Sequence, residues 1–378
     1  MANDQLSRKN KYRHKRLKRF SFILLGTGLP LIIGLGIIFY IDFHSKELPA
    51  SNDNQSYNKP PIKQETSITI SAAGDFTIGT DESFGYSGSF VEEADNNGYS
   101  YFVKGVKDIF LKDDFTTVNL ETTLTTSTKK AQKKFRFKGD PSYAEILQLG
   151  GIEAVNLANN HIHDYSETGY KDTLSVLKKH QIGYFGYEHR YVTTIKGIKI
   201  GALGYEGWYD TPEIRSQIEK DIKLLRDQGV QIVLVHYHWG VERQYVPTES
   251  QKSLARFTVD AGADLILGHH PHVIQGIEEY EGKFIVYSLG NFMFGGNRNP
   301  SDKDTFVFQQ TFHFTDDNLT TEKNITVIPF SISSVSDRNN YQPVPLNGGD
   351  ADRVMEKIIH SSQQINGTGW TVYNNNGR

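Results

Sequence analysis

Five short apolar runs in this chain each end in residues that can hold a metal ion, and this repetition constrains the fold more than any other feature. Residues 67–73 lead into Gly74-Asp75, and 115–120, which include Asn119, lead into Glu121. Residues 153–157 lead into Ala158-Asn159-Asn160-His161, 231–235 into His236-Tyr237-His238, and 264–267 into Gly268-His269-His270-Pro271-His272. Runs this short, mostly rich in β-branched and other apolar residues and bounded by polar or glycine positions, read as strands. Open α/β sheets build their ligand sites beyond the carboxyl ends of the strands. Five strand ends that deliver Asp, Glu, Asn-His, His-x-His and His-x-His to one edge predict an α/β fold with its chemistry at that edge.

Elsewhere the apolar pattern changes period. Helical spacing predicts helices over 142–149, 167–180, 213–228 and 249–261. Two stretches read as hairpins, 191–203 turning at Lys196-Gly197 and 273–288 turning at Glu281-Gly282. Residues 306–314 and 321–331 read as further antiparallel strands. Strands alternating with longer amphipathic segments suit two sheets packed together with helices outside. The expectation is one domain over 67–335, near the upper size of a single core. A C-terminal extension, 336–378, is expected to pack partly on it and to fray near Asn374-Asn375-Asn376.

The N-terminal part obeys different physics. Residues 20–41 contain no charged side chain, and a helix over them would measure about 33 Å, enough to cross a hydrocarbon core of roughly 30 Å. Residues 1–19 hold eight Lys/Arg against one acid, Asp4, in a chain whose net charge is -3. Lys and Arg stay on the cytoplasmic side. The reading is therefore a basic cytoplasmic tail (1–19), a single-pass transmembrane anchor in the lipid bilayer (20–41), and a flexible stalk (42–66) containing Pro49, Pro60 and Pro61. The body would stand outside the cell. A cleaved signal peptide is the alternative, but the apolar stretch is longer than a usual h-region and no clear small-x-small site follows. A basic start on an acidic body argues against nucleic-acid binding, which needs a basic folded face.

The absence of cysteine excludes thiolate-ligated zinc, iron–sulfur clusters and a thiol nucleophile. Mixed carboxylate, amide and imidazole ligands suit Zn, Mn, Fe or Co rather than Ca or Mg. A carboxylate shared between two ions, with Asn and His completing the shells, describes a two-metal hydrolytic site. Singly, each residue has a plainer reading: Asp75 as a turn cap, Glu121 as a surface acid, His163, His238 and His269 as solvated or supporting groups. The joint arrangement is the specific signal.

The set Gly74-Asp75, Asn119-Leu120-Glu121, Leu157-Ala158-Asn159-Asn160-His161 with Asp164, His236-Tyr237-His238-Trp239-Gly240 with Glu242, Gly268-His269-His270-Pro271-His272 with Gln275, and Tyr287-Ser288-Leu289-Gly290-Asn291-Phe292 resembles the CapA (PgsA) family of poly-γ-glutamate capsule proteins. The similarity covers about residues 68–330. That family resembles the calcineurin-like metallophosphoesterases, which implies a four-layer αββα sandwich behind one transmembrane helix. By position, the resemblance implies that Asp75 binds a first metal, that Glu121 bridges, and that Asn160, His236 and His270 bind the second. His272 returns to the first metal, and His161 with Asp164 takes the place of the catalytic histidine. The implied cofactor is a pair of divalent transition ions, Mn, Zn or Fe. Two departures stand out. The superfamily's second ligand two residues after the Asp is here Thr77, and its second-motif Asp is here Glu121; His238, Glu242 or His269, with Asn119 nearby, would have to complete the first site.

The resemblance also implies a role in making, exporting or anchoring poly-γ-glutamate beside membrane-bound synthase subunits. Lys129, Lys130, Lys133, Lys134, Arg136 and Lys138 form a basic stretch that could track a polyanion, or could be a solvated loop flanking Phe135 and Phe137. Arg136, Lys138 and Arg243 are the candidate substrate contacts. The leading expectation is a membrane-anchored extracellular hydrolase or transferase of capsule synthesis; the alternative is a non-catalytic export and assembly subunit that binds the polymer. A general surface phosphatase is a third reading.

Overall fold

Alternation along each strand sorts the interior of the protein into three apolar clusters. The computed structural model describes residues 63–365 and 368–375, all within the unit Pro61–Arg378. The basic tail, the expected span over 20–41 and the stalk up to residue 62 lie outside the described residues. Among the described residues no helix is long and apolar enough to cross a membrane.

The strands form sheets of nine, six and three strands among the described residues. The largest runs Val344–Pro345, Asn324–Ser331, Asp304–Thr315, Glu65–Thr77, Phe115–Leu120, Ala154–Asn156, Gly183–Phe185, with Asn291–Phe294 parallel to the end of Glu65–Thr77. The second runs Ile277–Tyr280, Lys283–Val286, Leu265–His269, Ile232–His238, Ile198–Glu206, Tyr191–Ile195. Glu65–Thr77, Phe115–Leu120 and Ala154–Asn156 pair in parallel, as do Ile232–His238 and Leu265–His269. Parallel pairing brings the carboxyl ends within each set to one edge.

One cluster lies between the two large sheets and takes Ile68, Ile70 and Ala72 from one and Ile232, Leu234, Leu265 and Leu267 from the other. A second collects the opposite face of the nine-stranded sheet, with Val118 and Leu120, against Phe90, Phe102, Phe110 and Leu147 of the helices. A third packs Val233, Val235 and Ile266 against Ile218 and Ile222 of helix Pro212–Asp227 and Leu254 of helix Glu249–Asp260. The helix starts follow capping rules. Thr211 accepts from the Ile214 amide, and Thr248 forms a reciprocal capping box with Gln251.

The structure departs from the sequence expectations in three places. The first strand begins at Glu65, inside the stretch read as stalk. The helices Phe90–Asn97, Ser100–Val103, Lys107–Phe110 and Gly348–Gln363 were not anticipated, although Ser89 and Glu92 carry the S-x-x-E signal and Ser89 does accept from the Glu92 amide. The C-terminal stretch does not fray as far as it is described. Trp370, Val354 and Ile358 are buried in the inter-sheet cluster, and the Asn374 side chain accepts from the Val327 amide at 3.1 Å. The apolar residues there, not the Asn run, decide the packing.

Candidate metal centre

Strand parity explains which side chains meet. Ile232 and Leu234 face the other sheet, while Val233, Val235 and Tyr237 face the helices. Period-two continuation puts His236 and His238 on the inter-sheet side. The same parity carries Leu265 and Leu267 into His269, and Phe115 into Thr117, Asn119 and Glu121. The site is thus the carboxyl edge of the inter-sheet core, where apolar side chains give way to ligands.

Two close contacts fix its backbone. A Cβ on Gly74 would stand 2.0 Å from the Gly290 carbonyl oxygen, and the Asp75 amide donates to that same oxygen at 3.0 Å. Gly74-Asp75 and the Ser288–Asn291 segment are therefore joined. His270 and His272 have φ of 96° and 57°, a left-handed backbone that costs about 1–3 kcal/mol per residue and is retained where it aims a side chain.

Among the described residues two groups of candidate ligand atoms form, each within 4.8 Å: Asp75, Glu121 and His272, and Glu121, His238 and His270. Glu121 belongs to both. Its Oε1 lies 3.6 Å from His238 Nε2, 3.8 Å from His272 Nε2 and 3.9 Å from His161 Nε2. Both Glu121 oxygens are buried with no hydrogen-bond partner. Those separations are too long for hydrogen bonds, yet two ligand atoms each about 2.1 Å from one tetrahedral ion stand roughly 3.4 Å apart. An orphaned buried carboxylate ringed by imidazoles at that spacing fits a divalent cation.

Electrostatics point the same way. Burial pushes Glu121 well above the ordinary carboxylate range. Burial likewise lowers His270 to about 3 and His238 well below its usual value, leaving both as the neutral, ligating imidazole. Burial would lower His272 too, but Glu121 and Asp75 lift it to about 9. Burial would raise Asp75, yet the imidazoles of His269 and His272 close beside it hold it well below the normal range. A cation held there would compete with the proton that Glu121 and Asp75 favour on His272.

The remaining expected ligands take other places. His236 lies behind the groups: its Nε2 is 2.9 Å from Thr117 Oγ1 and its Nδ1 2.9 Å from His269 Nε2. Sitting two residues earlier on the same strand face, it is roughly 6–7 Å deeper, and His238 stands at the strand end instead. His269 passes the contact on to Asp75 Oδ1 at 3.5 Å. Asn160 stands exposed at the lip, with Oδ1 accepting from His238 Nε2 at 2.9 Å. Asn119 is an amide hub that donates to Asp75 at 2.8 Å and accepts from Asn156 and Asn159.

His161 donates through Nδ1 to Asp164 Oδ2 at 2.6 Å. Lys133 pairs with the other Asp164 oxygen at 2.7 Å, the Phe137 amide donates to the first, and the Phe137 ring stacks on His161 at 4.1 Å. Burial lowers the His161 pKa, with Asp164 opposing. A cleft with about 200 Å³ of solvent space opens beside His161 and His272 and is lined further by Glu242, Arg243, Tyr245 and Phe294.

Arg136 and Lys138 do not line that cleft. Arg136 hydrogen-bonds the Ala131 and Lys133 carbonyls and reaches Glu82, bracing its own loop. Lys138 alternates to the far side of strand Phe137–Gly139, over the Tyr165 ring at 4.7 Å. Sequence reasoning missed Trp208, whose ring stands edge-on to His238 and His270 at 5.6 and 4.7 Å. Nothing in its local sequence marks it. Asn156 and Asn159 could have been found, because buried amides at a strand exit need partners.

Residues 69–296 match the family described as "Bacterial capsule synthesis protein PGA_cap". The chain is 27% identical over 336 residues to a capsule biosynthesis protein CapA of Bacillus anthracis, covering 80% of this chain and 76% of that protein. It is 32% identical over 259 residues to a PGA biosynthesis protein CapA of Bacillus subtilis, covering 62% of this chain and 66% of that one. A probable polyglutamine synthesis accessory protein of Mycobacterium tuberculosis is 27% identical over 209 residues, 47% of this chain and 55% of its own length.

Proposed function

The chain belongs to the family of bacterial capsule synthesis proteins PGA_cap, and on that premise we propose that it acts in the synthesis or export of a poly-γ-glutamate capsule, as a membrane-anchored protein whose extracellular body carries a metal-dependent hydrolase or transferase site. Its partners in this reading are the polymer, the bilayer around residues 20–41, and membrane-bound synthase subunits. The three apolar clusters, helix-side, inter-sheet and helix-side, support reading the body as an αββα sandwich of metallophosphoesterase type.

In this reading Asp75, Glu121 and His272 hold one ion, and Glu121, His238 and His270 hold a second with Asn160 at the lip. Divalent ions held there supply Lewis-acid polarisation of a substrate oxygen and activation of water. Asp164 fixes the ring of His161 and turns its Nε2 toward Glu121, the position of a proton donor to the leaving group of a γ-glutamyl amide or phosphoester. Lys133 and the Phe137 amide keep that carboxylate in place.

The observation that carries the proposal is Glu121, buried, unpartnered and common to both ligand groups. Elemental analysis of the purified full chain tests it. About two transition ions per chain, both lost in Glu121→Ala and at most one kept in His272→Ala, is the expected result; no tightly bound metal after supplementation with Mn or Zn would overturn it. One observation favours the assembly-subunit reading. Thr77 stands where the superfamily has a ligand, and its buried hydroxyl has no partner. Capsule output that persists in a His161→Ala strain with normal protein levels would decide for that reading.

A further inference from the structure

The cations near the candidate metal centre differ in one respect. Lys130 pairs with Glu82 at 2.6 Å, Arg136 reaches the same carboxylate at 3.4 Å, and Lys133 pairs with Asp164 at 2.7 Å. Three of the six cations of the basic stretch are thus engaged by two acids from neighbouring segments. Arg243 is different. It is exposed and lines the cleft with His161 and His272, and among the described residues its guanidinium makes no hydrogen bond or ion pair. Its backbone is nevertheless fixed: the Arg243 amide donates at 2.8 Å to the carbonyl of Pro271, between His270 and His272, and its φ is 62°. A charged fork held beside the ligand-bearing segment, with its donors free, is arranged to receive an anionic group of whatever lies over the ligands.

Resting on the capsule reading above, we infer that Arg243 recognises the α-carboxylate of a γ-linked glutamyl chain and so selects this linkage. The chemistry of the linkage supplies the reason. In a γ-linked chain the amide nitrogen is bonded to the α-carbon that carries the free carboxylate, so an anion lies two bonds from every backbone nitrogen. In an α-linked chain of equal charge the carboxylates sit at the ends of flexible side chains. A guanidinium beside the site of amide binding meets the first at a fixed position and the second at none. Phe137 and Phe294, which pack on His161 and His272 at 4.1 and 4.8 Å, offer apolar surface to the methylene pairs between successive amides.

Fluorescence anisotropy on the full chain in detergent tests this, with labelled γ-linked and α-linked glutamate oligomers of equal length as probes. Arg243→Gln should weaken the γ-linked oligomer roughly tenfold, as expected for losing a charge-assisted bidentate contact, and change the α-linked one by less than about twofold. Arg243→Lys, which keeps charge but not the fork, should fall between on the γ-linked probe. Because Arg243 is exposed, an unchanged melting temperature in both variants is the accompanying check. Equal losses on both probes would reduce Arg243 to a general electrostatic contact and overturn the inference. Tight wild-type binding of the γ-linked oligomer with no effect of Arg243→Gln would also overturn it while leaving the capsule reading intact. A wild-type protein that binds neither oligomer would remove the capsule reading itself.

Discussion

Glu121 is one carboxylate answering to two ligand groups, so its replacement and that of its neighbours should not be equivalent. Glu121→Gln is expected to lower metal content to near zero, and His238→Ala to leave at most one ion per chain. His236→Ala should keep the stoichiometry and weaken affinity about 10–100-fold, the usual cost of removing a group that orients a ligand. Metal titration of the three purified variants separates these outcomes, and an identical loss in His236→Ala would place that ring among the ligands. The same residues show how far sequence reading reaches. The strand-end position of His236-Tyr237-His238 and of Gly-His-His-Pro-His was legible in the sequence. Which of the two imidazoles stands at the strand end depends on depth, and Thr117 and His269, distant in sequence, occupy both nitrogens of the inner one. That Arg136 and Lys138 lie away from the cleft was not legible for a related reason: a basic run does not reveal that Glu82 lies within reach or that alternate residues point away.

At the scale of strands and turns, the site depends on two backbones touching. Gly74→Ala would drive a methyl to 2.0 Å from the Gly290 carbonyl, and overpacking of this kind costs about 1–3 kcal/mol. Chemical denaturation should show that loss, together with reduced metal content because Asp75 moves with its neighbour. The strand Phe115–Leu120 carries a pH dependence of its own. Burial raises Glu153 to about 7 while its carboxylate accepts from the Thr116 amide at 2.7 Å, and burial raises nearby Asp113 to about 6. Both pKa values lie above those of the unfolded chain, so the folded state holds more protons across the interval from about 4 to 7. Stability should therefore fall as pH rises through that window. Glu153→Gln should flatten the slope, measured as unfolding free energy against pH; an unchanged slope would reject Glu153 as its source. The strands themselves were legible, since Phe115–Leu120 matched its expected bounds and both hairpins turn at the glycines that mark them. The helices Ser100–Val103 and Lys107–Phe110 were not, because four-residue helices are too short to show a period.

Across the whole molecule, the core between the sheets is completed by residues far along the chain. Trp370 is fully buried there beside Val354 and Ile358, and Trp370→Ala should cost about 3–5 kcal/mol, seen as a lowered denaturation midpoint with metal content retained below the transition. A loss under about 1 kcal/mol would mean that the C-terminal segment is an appendage. Composition hid this role, since the Asn-rich end suggested fraying while a single indole decided the packing. The candidate ligands come from equally remote parts of the chain, and the His270 amide meets Asp75 across 195 positions. A site assembled only from such distant pieces cannot exist in a partly folded chain, and contacts of this span form late. If the site holds an ion as proposed, that ion would enter once these distant segments have met, from whatever solution surrounds the chain at that moment. Metal content, on that proposal, would be a record of the compartment where folding ended.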